Sequence, residues 1–392
     1  WLVRQFERLP VSGTERSELF DPLKLWTRWE LGRSKATRTL TRLSRGKIFY
    51  HDAPLLGRRD VSLARELDAQ PIPVEKLSRA EGERLLGMGR DTMAVRFREL
   101  HGFTYGDPSH VLRADAGRGL EIFVWGVPDE RRLPLLGYHA GMFVKNGVPV
   151  GYHEGLSLFE RVEIGLNLFY TFRDGESAWT YARLMRLFKQ LAGVNTFSID
   201  PYQLGGSGND EGIESGAFWF YRKLGFRPVR EEQARLVAAE ERKIAAREGY
   251  RTSPRVLRRL ASGHALYETN DAATPGEWDG FSVRNIGLAV GRRMAREFDG
   301  DAAKVRAASV AEVRRALDAE REKFNAAEER ALSNFALVLA LVPRLARWSA
   351  EEKRAALGVI RAKAGADELI YLRRLRRHAR LRRELIALGN PR

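Results

Sequence analysis

The tightest constraint in this chain is the dipeptide Asn146-Gly147, set between two β-forming runs, Tyr138 to Val144 and Val148 to His153. The favoured two-residue hairpin loop needs positive φ at both positions, which Asn and Gly tolerate and most side chains do not. The pair predicts an antiparallel hairpin, and the hairpin limits its neighbours. Leu120 to Val127, bounded by Gly119 and Pro128-Asp129, reads as a strand before it. Val162 to about Phe172 reads as a strand after it, with Ile164, Leu166, Leu168 and Tyr170 alternating on one face.

At Ser177 the apolar period changes from two residues to about 3.6. Ala178, Tyr181, Ala182, Leu184, Met185, Phe188 and Leu191 share one helical stripe, closed by Gly193. Val194 to Ile199 is short and apolar enough for a buried strand. A Gly-rich loop follows from Pro201 to Gly212, in which Asn209 or Asp210 suits a helix cap. It lacks the Lys-Ser/Thr of a phosphate-binding P-loop. Ser215 to Leu224 reads as an aromatic helix stopped by Gly225, and Phe226 leads into a last strand through Val229. The fold class implied is α/β (α+β): a mixed, largely antiparallel sheet flanked by helices, with a C-terminal helical region.

The flanks divide the chain into three. Residues 1–110 read as helical and irregular, 111–232 as the α/β domain, and 233–392 as a basic helical region. In the first, the basic stretch Lys24 to Lys47 carries Trp26 and Trp29, which suit either a helix packed on the main domain or stacking on nucleic acid. Arg90 to His101 reads as a helix closed by Gly102, with Met93, Val95, Phe97 and Leu100 available for burial. In the third, Glu231 to Glu248, Ala307 to Leu332 and Ala350 to Ala364 have helical spacing, and 262–281 reads as a linker.

Charge and composition narrow the chemistry. The chain has 392 residues, and its 67 Lys and Arg exceed its 51 Asp and Glu by 16, a balance that attracts polyanions. Leu372 to Arg392 alone holds eight Arg and one Glu, with Leu372, Leu375, Leu381, Leu385 and Leu388 at amphipathic spacing. That segment suits a packed terminal helix or, as the alternative, a nucleic-acid contact. With no cysteine, disulfides, thiolate metal sites and thiol nucleophiles are excluded. The longest apolar run, Phe335 to Val342, stops at Pro343, too short to span a bilayer. A cytoplasmic location is the expectation, although a chain beginning at Trp1 leaves a preceding segment open.

Two blocks carry a family resemblance. Ala217-Phe218-Trp219-Phe220-Tyr221-Arg222-Lys223-Leu224-Gly225-Phe226 resembles the late helix of the GNAT superfamily of acyl-CoA-dependent N-acyltransferases, written A-x-x-F-Y-x-x-L-G-F, at every defined position. Asn146 to Tyr152 is similar to that superfamily's central hairpin. The resemblance covers roughly 110 residues, and Glu214 stands where the family usually has Asn. The family's cofactor loop, Q/R-x-x-G-x-G/A, is matched at its ends by Arg173 and Ala178 of Arg173-Asp174-Gly175-Glu176-Ser177-Ala178, with Glu176 in the middle Gly position and Gly175 one place early.

What the resemblance implies is transfer of an acyl group from acyl-CoA, or an acyl carrier thioester, to an amine. Backbone around Arg173, Gly175, Ser177 and Ala178 would cradle the pyrophosphate, and the segment Leu168, Tyr170, Phe172 would hold the thioester and pantetheine arm. Tyr221 would protonate the leaving thiolate; as a residue alone it suits a buried packing role equally. Direct transfer also needs a base for the amine. Glu154 and Glu163, on adjacent strands, are the candidates, one of them raised towards neutral pH by burial, or a histidine close in sequence, His139 or His153, acting directly or through water. No metal is expected, since His139 and His153 lack a third ligand. The alternative function is a non-catalytic module of the same fold, associating with a polyanion or protein through its basic C-terminal helices.

Overall fold

Asn146 and Gly147 take φ of 49° and 83° and join two strands, β4 (Gly137–Lys145) and β5 (Val148–Leu158). The computed structural model describes residues 1–11, 13–23, 25, 43, 48–96, 98–173, 175–272 and 274–390. Almost all of the Lys24–Lys47 stretch, including Trp26 and Trp29, lies outside these residues, as do Phe97 and Asp174.

The other strands are β1 (Val74–Lys76), β2 (Val111–Gly117), β3 (Leu120–Trp125), β6 (Arg161–Leu168), β7 (Thr196–Ile199), β8 (Arg227–Pro228) and β9 (Ala265–Glu268). They form one sheet in the order β1-β2-β3-β4-β5-β6-β7-β9-β8. Every neighbouring pair is antiparallel except β6 and β7. The molecule is therefore mixed α/β with a mostly antiparallel open sheet. β1, from before the 111–232 segment, forms one edge, and β9, from after it, is inserted between β7 and the other edge strand, β8.

Helices cover both faces of the sheet centre. In chain order they are α1 (Leu2–Glu7), α2 (Gly13–Phe20), α3 (Leu63–Leu67), α4 (Arg79–Ala94), α5 (His101–Thr104), α6 (Ser177–Ala192), α7 (Asp210–Glu214), α8 (Ala217–Lys223), α9 (Glu231–Ala246) and α10 (Pro254–Leu260). The chain ends with α11 (Val283–Phe298), α12 (Ala302–Ala316), α13 (Ala326–Leu339), α14 (Ala350–Ala364), α15 (Glu368–Arg377) and α16 (Ala379–Gly389). All six residues of β3 are buried. Ile122 and Val124 join the core under α6 and the C-terminal helices, while Phe123 and Trp125 join a second core with Leu85, Leu86 and Phe103 of α4 and α5. Burial on both faces explains why this strand reads as an apolar run rather than an alternation.

The terminal helices belong to the same core. Leu372 of α15 sits where a Cβ on Gly137 would come within 2.7 Å, so glycine lets the helix meet β4. Lys363 donates to Leu136 O at 2.8 Å and pairs with Glu368, which accepts the Tyr138 N–H at 3.0 Å.

Five expectations are corrected. The strand expected to reach Phe172 ends at Leu168, because the chain leaves the sheet through a 3-10 turn, Tyr170–Phe172, to start α6; Tyr170 is 84% exposed. The helix placed at Arg90 to His101 is α4, which begins at Arg79 behind a Ser78–Glu81 capping box and stops at Ala94. The 262–281 linker contains β9, whose four residues pair with β7 and β8. The helix read from Ala307 to Leu332 is broken between α12 and α13, where Asp318 takes φ 56° and Asn325 opens a new capping box. The C-terminal helix is two, meeting at His378, whose Nδ1 accepts the Leu381 N–H.

Candidate active site

The parallel pair β6 and β7 is joined only at Arg161–Thr196, Val162–Phe197 and Glu163–Ser198. From Ile164 onward the strands part. The cause lies in the loop after β7: Asp200 Oδ1 accepts the Tyr202 N–H at 2.8 Å, turning the chain away, and Gln203 then reaches back to donate to Leu166 O at 2.7 Å. A cleft of about 250 Å³ opens at the fork. Leu166, Asn167 and Leu168 form one wall and Phe220 and Tyr221 of α8 the other. Arg173 and Ser177 stand at the start of α6.

Tyr221 is placed by packing. It is 3% exposed, with its ring edge-on to Tyr181 at 5.4 Å and to Phe226 at 5.8 Å. Burial raises its phenol above the ordinary range, partly offset by a hydrogen bond with Gln203. Arg173 donates from Nε to Leu168 O at 2.9 Å and pairs with Glu211 at 2.5 Å. Ser177 Oγ donates to Arg173 O at 2.7 Å, closing the turn into α6, and the Gly175 N–H bonds Phe172 O at 3.3 Å. Ala178 is buried in the core.

Glu176 occupies the N-cap position of α6 but makes no side-chain cap. Its carboxylate turns into the protein instead, 2.6 Å from Arg118 Nη2 and 2.9 Å from Lys145 Nζ, and it accepts the Leu56 N–H at 3.1 Å. Burial alone would raise this carboxyl; the Arg118, Lys145 and Leu56 hydrogen bonds outweigh it and bring it down to about 2. Glu176 is thus turned away from the helix N-terminus, and the first turn of α6 carries no acidic residue. On the other side of Leu168 and Ser177 lies a more apolar cavity lined by Leu55, Val150, Phe172 and Gly175, with His51 and Lys145 among its polar groups.

The two candidate bases do not line the cleft. Strand pairing sets Glu154 opposite Gly165 and Leu156 opposite Glu163, so both carboxylates share a sheet face with one residue pair between them. Glu154 accepts the Tyr138 hydroxyl, which itself accepts the Gly102 N–H at 2.9 Å. Burial and the Glu154 charge push the Tyr138 phenol up. Glu163 meets Arg161 Nη2 at 3.1 Å, Ser198 Oγ at 3.4 Å and His264 Nε2 at 3.3 Å. Burial opposes its ionisation, but the His264 hydrogen bond and the Arg161 charge prevail and hold it below the usual carboxylate range. A base raised towards neutral pH is therefore not what Glu163 provides.

His153 contacts Phe123 O at 3.1 Å and burial drops it to about 3; His139 is also buried and lowered by burial. Among the described residues the set of three potential metal ligands close together is a different one, Glu163, Asp200 and His264. Sequence reasoning passed over Gln203, Asp200 and His264. The first two follow a strand end in Asp200-Pro201-Tyr202-Gln203, a turn signature that could have been noticed; His264 has no local signal. No protein-family model, curated protein or solved structure matches the chain.

Proposed function

We propose that the chain is an acyl-CoA-dependent N-acyltransferase of the GNAT type, acting by direct transfer to an amine. The observation that carries this reading is the parallel pair that parts after three residue pairs and opens a cleft between strand edge and Tyr221. A parted strand offers backbone groups to an extended amide-bearing arm, as an added strand would. The α6 N-terminus, freed of Glu176, offers N–H groups and positive dipole to a pyrophosphate. Arg118 and Lys145 are held by Glu176, and Arg173, at the start of α6, serves the phosphates once its pair with Glu211 opens.

In the reaction the amine nitrogen attacks the thioester carbonyl, forming the C–N bond as the C–S bond breaks. Tyr221, neutral at physiological pH, gives its proton to the leaving thiolate. The amine proton passes through water to Glu154 or Glu163, which are set back from the cleft on one sheet face. Acyl-CoA is the acyl donor and the cofactor in this reading.

A second reading, a binding module without catalysis, is favoured by two contacts inside the cleft: Gln203 on Leu166 O and Arg173 on Glu211. Both must give way before an acyl-CoA arm lies along β6. A thermal-shift titration with acetyl-CoA and longer acyl-CoAs separates the readings. A ligand at 100 times its Kd adds about 2.7 kcal/mol of stability. A rise in Tm with any acyl-CoA supports the enzyme reading; none at millimolar concentration supports the module.

A further inference from the structure

At the root of the fork, outside the cleft, the sheet gathers three side chains from three segments. Glu163 stands in the last residue pair before β6 and β7 part. Asp200 follows β7 directly and His264 precedes β9 directly, and the Ile199–Ala265 pairing of those strands sets the two side by side. His264 Nε2 lies 3.3 Å from Glu163 Oε2 and 3.6 Å from Asp200 Oδ2, and all three ligand atoms fall within 4.8 Å of one another.

Ligands about 2.0–2.2 Å from a tetrahedral ion are separated by about 3.3–3.6 Å, the spacing seen at the histidine. The donor set, one imidazole nitrogen and two carboxylate oxygens, suits a borderline ion such as Zn²⁺ rather than a hard ion that prefers oxygen alone. The side chains are 24%, 50% and 36% exposed for Glu163, Asp200 and His264, so one side of the cluster is open to water. Behind it, Arg161 and the fully buried Ser198 hold the Glu163 carboxylate in place, as outer-shell groups do around metal ligands. Arg161 and Ser198 both sit on Glu163 Oε2, the oxygen nearest His264, so an ion shares that oxygen with them or takes Oε1, a carboxylate having about four lone-pair positions.

We propose that Glu163, Asp200 and His264 form a three-ligand site for a divalent transition ion, with water completing the coordination. The site stands on the strand geometry at the fork, and an ion held there by Glu163 would leave the proton-accepting role in acyl transfer to Glu154.

The test is calorimetric titration of the full chain, first stripped with a chelator, using Zn²⁺ and then Co²⁺. One ion per chain is expected, with the intense visible absorption of tetrahedral Co²⁺. Outer-shell substitutions alone weaken metal sites about 10–100-fold, so Asp200→Asn, His264→Gln and Glu163→Gln should each weaken binding by about 100-fold or more. Asp200 is half exposed, so Asp200→Asn is expected to fold and carries the test should the other variants fail. Absence of stoichiometric binding to the parent chain would overturn the proposal and leave the cluster an ion pair. So would Zn²⁺ affinity unchanged in Asp200→Asn, which would place the ion elsewhere.

Discussion

Glu176 illustrates how one residue can carry two opposite messages. In the sequence it is an acid in a phosphate loop; in the fold it is a buried anchor that ties α6 to Arg118, Lys145 and the Leu56 backbone. Its carboxyl titrates near 2 folded against an ordinary 4.5, so the stabilisation is complete above about pH 4.5 and is lost as pH falls towards 2. A shift of that size corresponds to roughly 3 kcal/mol. Glu176→Gln is expected to lower stability at pH 7, with the difference from the parent chain shrinking below pH 4; urea unfolding at several pH values measures it. Tyr221→Phe tests the chemistry. If the phenol serves the leaving thiolate, kcat falls while acyl-CoA affinity and Tm hold, since that hydrogen bond grows only towards the transition state. Equal loss of binding, turnover and Tm would mark a packing residue. Tyr221 was legible because an aromatic helix before Leu224-Gly225-Phe226 is a local pattern. Asp200 and His264 were not, because their meeting depends on β7 pairing with β9 across more than sixty residues of chain.

At the scale of elements, what was legible had its cause nearby in the sequence. Asn146-Gly147 set the central hairpin, although a bulge after the Val144–Pro149 pair shifts its register, and the apolar stripe from Ala178 to Leu191 set α6. The losses came where an element depends on distant partners. Ala265 to Glu268 has too few residues to show a period, and becomes a strand only because β7 and β8 flank it. Tyr170 continues the alternation of β6 by type, yet the chain has already left the sheet to reach α6. The contact between β5 and α6 is itself testable. Gly155 faces Phe188, and an added Cβ would lie 2.5 Å from the ring. Gly155→Ala should cost about 1–3 kcal/mol as an overpacking defect, seen as a lower urea midpoint at unchanged slope. Phe188→Leu should cost stability alone but recover part of the loss when combined with Gly155→Ala, since the two sites share one contact.

Across the whole molecule, the question is whether the basic C-terminal segment is a nucleic-acid arm or a wall of the core. No helix among the described residues is long and apolar enough to cross a membrane. Leu369, Tyr371, Leu372, Leu375, Leu381, Leu385 and Ile386 are all buried, against β4, α6 and neighbouring helices. The arginines between them bind the protein itself. Arg373 and Arg376 reach the carbonyls of Leu191 and Gly193 at the end of α6, Arg374 that of Gly358, and Arg380 meets Glu352 at 3.3 Å. Arg382 donates to both oxygens of Glu160 at 2.9 Å and to Glu277 at 2.6 Å. Removing everything after Asp367 therefore strips seven apolar side chains from the core at about 1.5–3 kcal/mol each, comparable with the whole stability of a domain, about 5–15 kcal/mol. The expected outcome is loss of cooperative thermal unfolding and exposed apolar surface that binds a hydrophobic dye. Polyanion binding through this segment is expected to be weak for the same reason. Of the seven arginines from Arg373 to Arg383, Arg377 and Arg383 are the two without an intramolecular bond among the described residues. With about 0.9 per neutralised duplex phosphate, the log–log slope of affinity against salt should not exceed about 2. A slope several times steeper, abolished by Arg373→Ala and Arg376→Ala with Tm unchanged, would show that these arginines release the α6 carbonyls for phosphate, and that the segment is a nucleic-acid surface after all.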